Sequence, residues 1–586
     1  MSRISGCLIV FFLCISSTFS FAQALDVYHP ELEWKTIETE HFLIHFHEGA
    51  ERSGRVVAKI AEDIYGPVTS LYNHKPDQKV SFIIKDYDDY SNGAAYFYDN
   101  KVEIWAPSMD FDFRGTHNWL RNVITHEFIH IVQIQTTMKF GRRMPGFYLQ
   151  WLGYESERRP DVLYGFPNVI ASYPISGFLV PAWFAEGVAQ YNRPQLRYDF
   201  WDTHRDMILR SYVLRDSILT WAQMGVFGKT SLGNESSYNS GFAFVHYIAQ
   251  RYGIDKLNEI SRNLASFSAT TIDGAIEKAL GKNGETVYNE WRDELKRDYA
   301  RRVAPIRDKV QEGIPFLFVD DEKKFKQLPE PIDGKPVFAL TQGVREAHRD
   351  KCGLFVDMGF ANRFPSFSPD GKRIAFVSTM GAPYLGQSQL IVAEIGGKYK
   401  AVVPGVGSEV SWSPDGNKLY YSRITNRNPN FSMQSDLYEY DLTNEDEKRL
   451  TYGKRAMSPN VSPDGKSLVF VVGADGTTNL ATMNIDTSGY KLITSFKQGE
   501  QVYAPKWSPR GDRIVFDYSI RDGRDLGWIR SDGSEMEFLV TGDFDSRGAV
   551  FTPDGSEILY SSDETGIFNI YSCNPSSGTS QQITNV

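Results

Sequence analysis

Five short turn motifs recur along the second half of the chain, and they limit its fold more tightly than any other feature. They are Ser368-Pro369-Asp370-Gly371, Ser413-Pro414-Asp415-Gly416, Ser462-Pro463-Asp464-Gly465, Ser508-Pro509-Arg510-Gly511 and Thr552-Pro553-Asp554-Gly555, with successive starts 45, 49, 46 and 44 residues apart. Each is followed by an alternating apolar run, such as "KRIAFVS" after the first and "SEILYSS" after the last, and most are preceded by another short strand such as "EVSWS". Proline presets φ at the first central turn position, aspartate accepts backbone N–H groups, and glycine takes the positive φ from which the next strand starts. A second strand pair follows in each unit, for example "QLIVAEI" and "DLYEYDL". An isolated hairpin buries too little to be stable. Four strands per unit, repeated at this period, is the signature of propeller blades.

The first half has a different pattern. "HFLIHFH" (41–47), "KVSFIIKD" (79–86) and "NKVEIWAP" (100–107) read as strands. Apolar residues at helical spacing predict helices over 51–73, about 118–136, 240–253 and 285–305. The chain therefore divides into an apolar leader at 1–24, an α+β domain at 25–305, a linker at 306–314 and an all-β propeller at 315–586.

The repeats resemble those of the TolB-type propeller, a WD40-like architecture of the bacterial cell envelope. That resemblance implies six blades, with "GKPVFALTQG" and "CGLFVDMG" ahead of the first turn motif supplying strands of a divergent first blade. Arg510 in the fourth motif and Thr552 in the fifth depart from the pattern and are expected to weaken turn contacts. "QQITNV" at 581–586 is the usual end of a repeat, so either the ring closes there or the chain continues beyond Val586. In a closed six-blade ring Cys352 and Cys573 fall in adjacent blades. Free buried thiols are the preferred reading over a clasp between them.

The helix over 118–136 contains "VITHEFIHIVQ". His126 and His130 lie one turn apart on one helix face, so both imidazoles can reach one ion. Zinc accepts two nitrogens, needs a third protein ligand and leaves a position for water. Glu127 stands beside the first histidine as a general base. The bland alternative is an exposed helix face, but the neighbours Val123, Ile124, Phe128, Ile129 and Ile131 would bury these polar groups, which must then find partners. "VPAWFAEGVAQYN" (180–192) offers the partner: Glu186, 56 residues after His130, in a second predicted helix whose Gly187 and Ala189 allow close packing.

The pair "HEFIH…WFAEGVAQY" resembles a gluzincin of the peptidase MA-like group over about residues 35–300. The resemblance implies a zincin-like fold with Zn2+ held by His126, His130 and Glu186, and Glu127 as general base. It implies a cleft-lining edge strand at "NKVEIWAP", where a peptide substrate adds as a further strand. It also implies an oxyanion-stabilising side chain. Tyr238, His246 and Tyr247 in "SYNSGFAFVHY" are the candidates, and Tyr238 is preferred because it precedes the predicted helix. His117 reads as a helix-start surface residue, with a role behind the ligands as the alternative. The aromatic insertion at 141–179 reads equally as a substrate-facing lid or interaction surface and as helices of the domain.

The residual constraints come from the ends and the charge. Arg3, the apolar run that follows and Ala22-Gln23-Ala24 form a secretory leader pattern, so the mature chain is expected to start near Leu25 in the periplasm or outside the cell. A formal net charge of -10 without a long basic run gives no footprint for nucleic acid. The segment from Val169 to Ala185 is interrupted by Pro174, Gly177 and Pro181, so no spanning helix is expected there. Three functional readings follow. The first is an exported zinc metallopeptidase whose propeller binds a protein substrate or an envelope partner. The alternative is a non-catalytic periplasmic scaffold with an inert zincin domain. A metal-dependent hydrolase acting on something other than peptide is a third.

Overall fold

The structure is a computed structural model that describes residues 29–144, 146–153, 169–191, 196–307, 361–394, 399–425, 430–487 and 489–586. The expected leader, the linker beyond residue 307, Cys352 and the two apolar runs ahead of the first turn motif lie outside the described residues.

The N-terminal half is built on a five-stranded sheet of β1 (Trp34–Glu38), β2 (Phe42–His47), β3 (Val80–Lys85), β4 (Gly93–Tyr96) and β5 (Lys101–Trp105), in the order β1-β2-β3-β5-β4. β2, β3 and β5 run parallel, while β1 and β4 are antiparallel edges. The alternation read in the sequence sets one apolar face: Phe42 and Ile44, Phe82 and Ile84, Val102 and Ile104 are all fully buried. Helices α1 (Glu51–Tyr72) and α2 (Trp119–Thr136) cover that face through Val57, Ala61 and Ile64, and through Ile124, Phe128 and Ile131. The edge strand is β4, not the "NKVEIWAP" strand, which as β5 is internal. The four residues of β4, "GAAY", are too short a run to show an alternating pattern.

A second, helical core follows. It comprises α3 (Ala182–Gln190), α4 (Thr203–Leu214), α5 (Trp221–Met224), α6 (Ser231–Tyr252), α7 (Asp255–Leu264), α8 (Ile272–Leu280) and α9 (Gly284–Arg307), packed around Trp183, Phe184, Phe244, Ile248 and Trp291. Helix α6 starts nine residues before the predicted one. Its first turns are rich in glycine, serine and asparagine and read as loop, yet Thr230 caps them by accepting from the Gly233 N–H at 2.9 Å. Within the aromatic insertion, β6 (Gly146–Gly153) and β7 (Val169–Ser176) pair antiparallel, so this part is a hairpin and not helices.

The C-terminal half forms five four-stranded antiparallel sheets, over 362–404, 411–449, 456–492, 501–540 and 546–582. Among the described residues these are five blades, and not the six expected. The sixth was counted from two apolar runs that lie outside the described residues. The turn motifs behave as read. Ser368 Oγ donates to Asp370 at 2.6 Å, the Arg373 N–H donates back to Ser368 Oγ at 2.9 Å, and Gly371 sits at φ +69°. The two departures are compensated, not weakened. Asp512 takes the place of the missing aspartate by accepting from Ser508 Oγ at 2.8 Å, and Thr552 Oγ1 donates to Asp554 at 2.6 Å as serine does elsewhere. Cys573 is a buried thiol in the core of the fifth blade. No helix among the described residues is long and apolar enough to cross a membrane.

Candidate metal centre

Helix α2 is capped by Asn118, whose side chain accepts from the Arg121 N–H at 3.4 Å. From that start the helical repeat brings His126 and His130 to the same face. Helix α3 begins after Pro181 and crosses α6 with no room for side chains between them. A Cβ on Gly187 would collide with the Gly241 carbonyl, and one on Gly241 with the Trp183 carbonyl. This glycine contact lets α3 turn Glu186 toward α2.

His126, His130 and Glu186 come together and are all buried. His126 Nε2 lies 3.1 Å from Glu186 Oε2, His130 Nε2 lies 3.4 Å from the same oxygen, and the two Nε2 atoms are 3.0 Å apart. Four ligands placed tetrahedrally about 2.0–2.1 Å from zinc stand about 3.3 Å from one another. The three observed separations match the edges of one face of such a tetrahedron. Two imidazole nitrogens and a carboxylate oxygen converging on one point are also the donor set zinc takes. The residues present fit the ion.

The electrostatics follow from burial and from this convergence. Burial pushes Glu186 up, but the imidazoles of His130 and His126 outweigh it and hold the carboxyl well below the usual carboxylate range. Burial pulls His130 down, and the carboxylates of Glu186 and Glu127 more than restore it. Glu127 is 7% exposed; burial raises it, and the neighbouring His126 only partly offsets this. Its carboxylate lies against edge strand β4, where a Cβ on Gly93 would collide with it, so the strand passes this close only because residue 93 is glycine.

Tyr238 lies inside α6 and not ahead of it. Burial and then the charge of Glu186 raise its hydroxyl well above the ordinary tyrosine value. Its ring packs 5.6 Å from Phe227 and lies 4.8 Å under the Arg114 guanidinium. Arg114 in turn holds Glu235 through two bonds of 2.7 and 3.1 Å. His246 sits elsewhere, bonded to Gln250 at 2.8 Å and packed against Tyr191. Tyr247 stacks on Phe244 and carries the Arg251 guanidinium. His117 is not a surface residue: its side chain is 7% exposed and bonds Asp202 at 3.0 Å. Sequence reasoning missed Arg114, Glu235 and Gly93, which carry no motif.

The propeller can be compared with known proteins. A family profile described as the TolB beta propeller domain matches residues 340–549. An uncharacterised protein of Agrobacterium fabrum is 31% identical over 223 residues, which are 35% of this chain and 72% of that protein. The chain carries a TolB-type β-propeller domain. The Tol-Pal system protein TolB of Francisella tularensis is 31% identical over 205 residues, 34% of this chain, and the match spans 45% of that protein's length. The crystal structure of TolB from Acinetobacter baumannii covers 38% of this chain and 54% of its own, at 18% identity and a TM-score of 0.33. The candidate metal centre lies outside the residues matched by the TolB-type profile.

Proposed function

We propose that this chain is a zinc-dependent peptidase carried on a TolB-type propeller. The observation that supports it is the convergence of His126, His130 and Glu186 at 3.0–3.4 Å, with Glu127 buried beside them. When bound, zinc supplies Lewis-acid polarisation at this point. Glu127 takes the proton from the attacking water and returns it to the leaving amine. Tyr238 donates a hydrogen bond from its hydroxyl to the charge that develops on the carbonyl oxygen. An exported location, periplasmic or extracellular, accords with the leader pattern at 1–24 and with the TolB relatives.

The full-length Glu127→Gln variant should retain stoichiometric zinc while hydrolysis of casein or a peptide library falls roughly 10²–10⁴-fold. Glu186→Gln should lose the metal itself. Cleavage by Glu127→Gln at the parent rate would overturn the assignment of the base.

The second reading, a non-catalytic envelope scaffold, is the one that the comparisons favour. The named relatives are Tol-Pal system proteins, and they match the chain through its propeller. On that reading the zinc-loaded full chain cleaves neither casein nor the library, with or without chelator.

A further inference from the structure

In every blade a hairpin joins the second and third strands, and all five of these hairpins touch the N-terminal half. In the first blade the Pro383 carbonyl accepts from the Ser231 N–H at 3.1 Å, and the Leu385 N–H donates to Ser231 Oγ at 3.1 Å. In the second, the Met433 N–H donates to Asp88 at 2.7 Å and its carbonyl accepts from the Asp89 N–H at 2.7 Å. In the third, the Asp475 carboxylate accepts from the N–H groups of Arg52 and Ser53 at 2.8 and 2.9 Å. In the fourth, Asp522 accepts from the Asn118 N–H at 2.9 Å. In the fifth, Asp563 accepts from Thr203 Oγ1 at 2.7 Å, and Phe568 packs on His204 at 4.7 Å.

Three of these partners share one chemistry. Ser231, Arg52 with Ser53, and Asn118 stand at the starts of α6, α1 and α2 and give backbone N–H groups to the propeller, whereas Thr203, at the start of α4, gives its hydroxyl. A helix start presents unpaired N–H groups and the positive end of the helix dipole, and it calls for an oxygen acceptor. Helix α1 makes the case most sharply. Its N-cap is Ala50, which has no side-chain acceptor, and the missing cap comes from Asp475, 423 residues away from Arg52 in sequence.

Between these contacts the strap at 107–118 crosses the propeller. Asp110 takes Arg524 at 2.6 Å, Asp112 takes Arg363 at 2.5 Å, and the Thr116 N–H donates to Asp545 at 3.2 Å.

We infer that this end of the propeller is a docking surface for the chain's own N-terminal domain, built to receive helix N-termini through acceptors on its blade hairpins. An external partner using this end would have to displace that domain. The inference is independent of the peptidase reading, because it concerns neither the metal nor the cleft.

The test is amide hydrogen exchange on the full chain, parent against the triple variant Asp475→Ala, Asp522→Ala and Asp563→Ala. Exchange should rise roughly tenfold in the first turns of α1 and α2, as expected for loss of a capping acceptor. The first turn of α8, capped by its own Thr271, should stay at the parent rate. The triple Asp→Asn variant keeps an acceptor oxygen at each position and should remain near the parent. Should the triple alanine variant fail to fold, Asp475→Ala alone, read at Arg52 and Ser53, decides the matter. Unchanged exchange at these amides would overturn the inference, as would an equal rise in α8.

Discussion

Tyr238 sits at the meeting point of two influences. On one side the Glu186 charge raises its hydroxyl; on the other the Arg114 guanidinium lies 4.8 Å from its ring, itself fixed by Glu235. Removing only the hydroxyl should therefore leave packing and metal in place and remove a transition-state contact. Tyr238→Phe is expected to hold parent zinc content and KM while kcat falls roughly 10²-fold, the size of a lost oxyanion donor. Parent-like kcat would assign Tyr238 to packing alone. The convergence of His126, His130 and Glu186 beside Glu127 was legible in the sequence because each is a polar residue set among apolar ones, and such residues need partners. Arg114 and Glu235 were not legible. They are 121 residues apart, in polar stretches where neither burial nor periodicity singles them out.

At the scale of elements, the site depends on how closely α3 approaches α6. Gly187→Ala places a methyl against the Gly241 carbonyl, and overpacking of this kind costs roughly 1–3 kcal/mol. The shift would carry Glu186 away from His126 and His130, so zinc affinity should fall along with the urea midpoint. Gly66→Ala is the contrasting case. Gly66 lies within α1 with nothing inside 4 Å of the added carbon, and the change should stabilise by roughly 0.5–1 kcal/mol without altering zinc affinity. A Gly187→Ala variant with parent stability and affinity would mean that the crossing is looser than drawn here. The sequence pointed to Gly187 as a packing glycine. It could not point to Gly241 as its counterpart, although Gly241 lies inside the helix predicted over 240–253, because a helix crossing is a property of two segments and no motif pairs them. Strand β4 escaped for a simpler reason: three small residues and one tyrosine are too short a run to show an alternating face.

For the whole molecule, the junction between the halves holds a titratable switch point in His204. The imidazole is 8% exposed, packs on Phe568 of the fifth blade, and leaves Nδ1 without a hydrogen-bond partner. Burial, joined by the positive charge of Arg547, lowers it to about 4, against the opposing pull of Asp202 and Asp545; Arg524 adds to the lowering. An unfolded histidine titrates near 6.5, so between these values the unfolded chain binds the extra proton. The contribution to stability is thus complete above 6.5 and is lost progressively as pH falls toward 4, reaching roughly 3 kcal/mol across the window. Asp517 acts in the opposite sense. Burial raises it to about 6, so it takes up a proton in the folded state between 3.8 and 6. The parent curve therefore mixes both signs, and the difference between parent and His204→Gln isolates the histidine. Urea midpoints of the two proteins at pH 7 and pH 4.5 should show the parent losing more stability on acidification than the variant. Equal losses would mean that His204 is solvated, and that the fifth blade does not seal the start of α4.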